Sequence, residues 1–365
     1  MNKKICVYAI CKNEFKFIDS WLASMSEADY IVVLDTGSTD GTYEKLKADK
    51  RVTRVEQKIF NPWRFDTPRN ESMKLAPDDA DILVCTDFDE VFEPGWADVV
   101  RKTWQEDTTV IRYLYAWNHT EQGEPLTTAI YMKIHTRDYH WIFPVHEMLV
   151  PIREDFQEKG IDVLDGSIYL HHWQDLSKPR KYYFDLLELG VKEFPENAYM
   201  RSFLGREYFF HGDYEKGIEQ YKIAMTLPDM YDKKKELIYL DALLYMTGGY
   251  EELKQYDNAI ECCYKFLEYD FSFRDPYFFL SELYNLKGLY TVAEAFAKAG
   301  FEYGYDHHTF VEKYRANLGW GYEALGLAQL NLGKKEEAEK NFRIALSYRP
   351  DNEDIKEWLR LSQIK

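Results

Sequence analysis

Residues 30–48 read YIVVLDTGSTDGTYEKLKA, and the fold turns on this stretch. Tyr30 to Leu34 is an unbroken apolar run, as expected of a strand buried on both faces of a parallel sheet. Asp35 ends the run. Gly37, Ser38, Thr39, Asp40 and Gly41 then form a turn. Ser38 or Asp40 can cap the helix that the spacing predicts over 42–48. The flanks repeat the rhythm. KICVYAI (4–10) is a short β-branched run, and Phe15, Ile18, Trp21, Leu22 and Met25 recur at helical spacing. RVTRVEQ (51–57) and DILVCT (81–86) are further strand candidates. Strands alternating with helices predict an α/β domain, a doubly wound and mostly parallel sheet. Such sheets bind ligands at the carboxyl ends of their strands, which is where Asp35 and a second acidic group fall.

That second group follows Ile82, Leu83 and Val84 in DILVCTDFDEVF (81–92). Asp87, Asp89 and Glu90 crowd three carboxylates against a buried strand, so something positive must offset their repulsion. On an extended segment Asp87 and Asp89 point the same way. Two carboxylates so placed suit a hard divalent ion, Mg²⁺ or Mn²⁺, of the kind that bridges to substrate phosphates.

The chain has 365 residues, enough for two domains, with 45% hydrophobic and 16% aromatic content. Its formal net charge of −17 argues against nucleic acid or anionic lipid as partner, since both need a basic footprint. Five cysteines at positions 6, 11, 85, 262 and 263 show no zinc-ligand spacing and read as buried free thiols. The opening MNKKICVYAICKNE is neither a signal peptide nor a membrane span, no apolar run of spanning length occurs, and a cytoplasmic setting is expected.

The pattern changes near Ser177. After Leu204-Gly205, small or aromatic residues recur at Gly212, Gly217, Tyr221 and Ala224. The same offsets link Gly326 to Gly333, Ala338, Phe342 and Ala345, and Ser281 to Gly288, Ala293, Ala297 and Gly300. A fainter copy centres on Ala259, Cys263 and Phe266. Residues 180–365 resemble tetratricopeptide repeats, which implies an all-α solenoid. The expected domains are 1–176 and 177–365.

VYAICKNEFKFIDSWLASMSEADYIVVLDTGSTDGT (7–42) and RFDTPRNESMKLAPDDADILVCTDFDE (64–90) together resemble family 2 glycosyltransferases of the GT-A fold, over roughly residues 4–175. The resemblance implies a metal-dependent transfer of sugar from a nucleoside diphosphate sugar, with UDP the expected nucleoside diphosphate, to a peptide, protein or glycan. It places Asp35 on the nucleoside, Asn13 and Glu14 near the base, and the backbone of Ala9 to Cys11 along that pocket. Arg69 would approach the nucleotide. Asp87 would lie near ribose and metal, Asp89 would be the principal ligand of Mn²⁺ or Mg²⁺, and Phe88 would narrow the sugar pocket. The segment HWIFPVHEMLV (140–150) resembles a V-H-E segment of this subgroup and would supply Glu147 as catalytic base, with His146 beside it. His171 or His172 would complete the metal shell. A scaffold with a degenerate nucleotide-sugar domain is the alternative. A nucleotidyltransferase is disfavoured, because CKNEFKF (11–17) is no Gly-rich phosphate loop.

Overall fold

A computed structural model describes residues 3–120, 123–175, 182–231, 236–304 and 318–364. The expected boundary at 176/177 falls outside the described residues. The chain divides into two compact units, Met1–Gly190 and Val191–Lys365.

The first unit is built on a nine-stranded sheet. Its strands are β1 (Ile5–Cys11), β2 (Tyr30–Asp35), β3 (Arg54–Gln57), β4 (Ile82–Cys85), β5 (Glu90–Phe92), β6 (Val110–His119), β7 (Pro125–His135), β10 (Gly160–Val163) and β11 (Tyr169–His172). They are ordered β3-β2-β1-β4-β7-β6-β11-β5, and β10 pairs with β6. β8 (Tyr139–Ile142) and β9 (Met148–Pro151) form a separate hairpin. The run from β3 to β4 is parallel. Beyond it the sheet is mixed, because β6 and β7 are sequence neighbours that pair antiparallel, and β5 runs antiparallel to β11.

Alternation along β1 sorts the core. Ile5, Val7 and Ala9 pack on one face with Trp21, Leu22 and Met25 of α1 (Ile18–Met25) and Trp96 of α4 (Trp96–Thr103). Cys6, Tyr8 and Ile10 face the other side, with Leu75, Ala76 and Trp141. α2 (Thr42–Ala48) and α3 (Asp66–Met73) complete the crossovers. Both faces are covered, which is why β1, β2 and β4 read as continuous apolar runs.

α5 (Tyr183–Glu193) leads into the second unit, whose helices are α6 (Ala198–Phe210), α7 (Tyr214–Ala224), α8 (Glu236–Glu252), α9 (Tyr256–Tyr269), α10 (Asp275–Leu286), α11 (Tyr290–Tyr303), α12 (Leu318–Asn331), α13 (Lys335–Tyr348) and α14 (Glu353–Gln363). The repeated small residues mark close helix contacts: a Cβ on Gly326 would lie 2.7 Å from the Phe342 ring. Gly212, Gly288 and Gly333 hold the left-handed turns between paired helices, and Lys254 takes that conformation in the fourth pair. All five cysteines are buried free thiols. Among the described residues, no helix is long and apolar enough to cross a membrane.

Candidate active site

The sheet order reverses at β1. The chain steps from β1 outward to β2 and β3, then returns to β4 on the other side of β1. The carboxyl ends of β1 and β4 therefore flank the crevice where such sheets bind ligands.

At the β1 end, Asn13 takes a left-handed φ of 59°. Its backbone N–H donates to Ser38 Oγ at 2.8 Å, and its Oδ1 accepts from the Thr39 N–H at 2.8 Å. The Glu14 N–H donates to Thr42 Oγ1 at 2.9 Å. The loop after β1 is thus laced to the turn after β2. Asp35 is fully buried, and its Oδ1 accepts from the N–H groups of Gly37 and Ser38 at 2.9 Å and from Gln57 Nε2 at 2.8 Å. Burial pushes its carboxyl up, but these donors outweigh burial and hold it below the usual range. Asp35 thus builds the turn. Asp40 accepts from the Thr42 N–H at 3.0 Å and the Phe15 N–H at 3.2 Å. Ala9 and Cys11 are buried in the core, and the Cys11 carbonyl accepts from the Thr36 N–H at 2.8 Å.

At the β4 end the crowded carboxylates are matched by basic side chains from elsewhere in the unit. Arg69 of α3 is buried and grips Asp87 in a fork, Nη1 to Oδ1 at 2.9 Å and Nη2 to Oδ2 at 3.1 Å. Its Nε pairs with Glu147. Lys133 of β7 lies 2.8 Å from Glu90 Oε1 and 3.6 Å from Asp87 Oδ2. Glu90 Oε2 in turn accepts from the Asp87 N–H at 2.9 Å. Burial pushes the Asp87 carboxyl up, yet Arg69 and Lys133 hold it well below the carboxylate range. Glu90 is shifted up, because its burial outweighs the Lys133 charge. Lys133 was missed from sequence. The one signal was a lone lysine in the strand run YMKIH (131–135).

Asp89 and His172 meet across the site, with Oδ2 and Nε2 at 3.5 Å. Burial lowers the His172 pKa, but Asp89, Glu90 and Asp87 outweigh it and raise it. His171, next along β11, is turned elsewhere: its Nδ1 lies 2.8 Å from His119 Nε2 and its Nε2 3.1 Å from Glu93. Phe88 is only 2% exposed and stacks on Trp21 with centroids 4.2 Å apart, so its side chain belongs to the core and does not narrow an open pocket. Among the described residues, no three His, Cys, Asp or Glu side chains converge as a ready-made metal site.

Glu147 and His146 sit in a strained loop. Phe143 and His146 take φ values of 76° and 50°, conformations that cost non-glycine residues about 1–3 kcal/mol each. The loop is pinned where the Phe65 N–H donates to the Pro144 carbonyl at 2.8 Å. Nearby, Asn70 clasps the Trp141 backbone with two 2.8 Å bonds. The His146 ring meets Tyr183 edge-on at 5.8 Å.

Residues 6–152 match the model of Glycosyl transferase family 2. The chain carries a family 2 glycosyltransferase domain. Residues 250–273 and 321–352 match the tetratricopeptide repeat, so this glycosyltransferase domain is followed by tetratricopeptide repeats. Among solved structures, the chain is similar to a tetratricopeptide repeat protein from Parabacteroides merdae (15% identity, 48% of this chain and 62% of that one, TM-score 0.37). It is similar also to MamA (20% identity, 46% and 83%, TM-score 0.36) and to a thermophilic repeat protein of Thermus thermophilus (17% identity, 50% and 91%, TM-score 0.37). Comparison with curated proteins gave no match.

Proposed function

We propose that the glycosyltransferase domain is metal-dependent and transfers a sugar from a nucleoside diphosphate sugar, UDP being the expected nucleoside diphosphate, to a peptide, protein or glycan acceptor. The observation that carries this reading is the approach of Asp89 to His172 beside the β1/β4 crevice. A carboxylate oxygen and an imidazole nitrogen 3.5 Å apart fit two ligands of one divalent ion. Phosphate oxygens of the donor would then supply further ligands, as is usual for Mg²⁺ sites. Asp89 and His172 would hold Mn²⁺ or Mg²⁺, which acts when bound as a Lewis acid toward the leaving diphosphate.

We assign the remaining roles to neighbouring residues. Arg69 and Lys133 keep Asp87 ionised and fixed, ready to accept hydrogen bonds from ribose hydroxyls. Asn13 and Asp35 set the loop and turn that we assign to the base, with Glu14 and the Ala9–Cys11 backbone assigned to the same pocket. An inverting transfer needs a proton acceptor for the acceptor hydroxyl. Glu147, oriented by Arg69 on a strained loop with His146 beside it, is our assignment. Five free thiols fit a reducing, cytoplasmic compartment.

The test is slow hydrolysis of UDP-sugars by the full chain, with and without Mn²⁺. Hydrolysis that requires Mn²⁺ and disappears in Asp89→Ala supports the proposal. Hydrolysis by neither protein, from any nucleotide-sugar, favours the scaffold reading.

A further inference from the structure

Adjacent residues of a strand face opposite ways, and β11 uses this to serve two places. His172 meets Asp89, while His171 faces a separate cleft of about 460 Å³. The exposed side of α1 lines it through Ser20 and Ala23, β5 and the residue after it through Val91 and Glu93, and Trp173 stands at its side with Gly123. Trp173 is 45% exposed, unusual for so large an apolar ring. It is nevertheless packed on one side. His119 stacks on one indole face with centroids 4.0 Å apart and planes 11° apart, and the His119–His171 contact of 2.8 Å fixes that ring in turn. Irregular β6–β7 pairing near residues 116–119 accompanies the turn of His119 toward His171, while Tyr115 and Trp117 stay with His172. The Trp173 backbone N–H donates to the Asp89 carbonyl at 2.8 Å, tying the main chain that carries the indole to the acidic triplet.

The geometry points to a saccharide-binding cleft, distinct from the nucleotide crevice. An indole with one face stacked and much of its surface in water offers an apolar plane to the C–H face of a pyranose. Glu93, more than half exposed, and His171 beside it offer an acceptor and an imidazole to ring hydroxyls. Glu27 and Glu93 in the wall disfavour a phosphate or a nucleotide there. The ligand class is therefore a neutral sugar, bound by stacking and by hydroxyl-to-carboxylate hydrogen bonds.

The test uses the full chain without nucleotide, so it stands whether or not the transferase proposal holds. Maltose, cellobiose, lactose and N,N′-diacetylchitobiose serve as probes in saturation-transfer NMR and calorimetry. We expect at least one to bind, with saturation strongest at the sugar C–H protons. Trp173→Ala should weaken that probe about tenfold or more, a loss of about 1.4 kcal/mol. Ala23→Tyr, which fills the cleft from an exposed helix position and leaves the indole in place, should weaken it likewise. Failure of all four probes to bind wild type overturns the inference, as does wild-type affinity in both variants.

Discussion

Lowering the pH from 7 to 5 should destabilise the N-terminal unit through one residue, His135. It is fully buried at the end of β7. The Trp141 Nε1–H donates to the Tyr8 hydroxyl at 2.8 Å, the Tyr8 hydroxyl lies 2.8 Å from His135 Nε2, and His135 Nδ1 lies 2.6 Å from the Thr136 carbonyl. This chain suits a neutral imidazole that donates from Nδ1 and accepts at Nε2. Burial lowers the His135 pKa from 6.5 to about 4. Between those values the unfolded chain binds a proton that the folded chain refuses, so stability falls as pH falls. The loss is about 2 kcal/mol between pH 7 and 5 and approaches about 3.4 kcal/mol below pH 4, at 1.36 kcal/mol per pKa unit. His135→Gln removes the titration. The assay is urea unfolding at fixed ionic strength, followed by tryptophan fluorescence, since seven of the nine tryptophans lie in residues 1–190. The wild-type minus variant stability should shrink by about 2 kcal/mol across that range. Parallel pH curves for the two proteins would refute the reasoning. Because Trp141 also packs under Arg69 at 5.4 Å, acid should loosen the Arg69–Glu147 contact with it.

Lys133→Met leaves the buried Glu90 carboxylate without its cation, and should cost about 3–5 kcal/mol in urea unfolding. Adding Glu90→Gln should restore part of that loss, whereas a double variant no better than the single one would show that Lys133 acts otherwise. Phe88→Ala should cost about 3–5 kcal/mol by opening a cavity against Trp21. A stable Phe88→Ala protein with an altered KM for the donor would put Phe88 back at a sugar pocket.

Local chemistry was legible in the sequence where it was self-contained. The apolar run and turn at 30–48 give β2 and α2 with the boundaries expected, because burial pattern and turn residues act over a few positions. The repeat offsets were visible for the same reason, and the fourth copy was faint where Lys254 holds a turn that glycine holds elsewhere. What sheet topology decides was not legible. The sequence pointed to a metal as the charge that offsets Asp87, Asp89 and Glu90, whereas Arg69 and Lys133 arrive from α3 and β7 to meet Asp87 and Glu90. His171 and His172 could not be told apart until β11 was placed beside β5 and β6. Phe88 was misjudged because residues 88–89 form a turn, closed by the Glu90 N–H on the Asp87 carbonyl at 3.1 Å, where an extended segment was expected, and Phe88 is buried in the core.

The most direct measurement is calorimetric titration of UDP into the full chain, with and without Mn²⁺, for wild type and Asp89→Ala. The account predicts that Mn²⁺ strengthens UDP binding to wild type by about tenfold or more, and that Asp89→Ala loses this gain. Equal UDP affinity with and without Mn²⁺, or a gain that survives in Asp89→Ala, would contradict it.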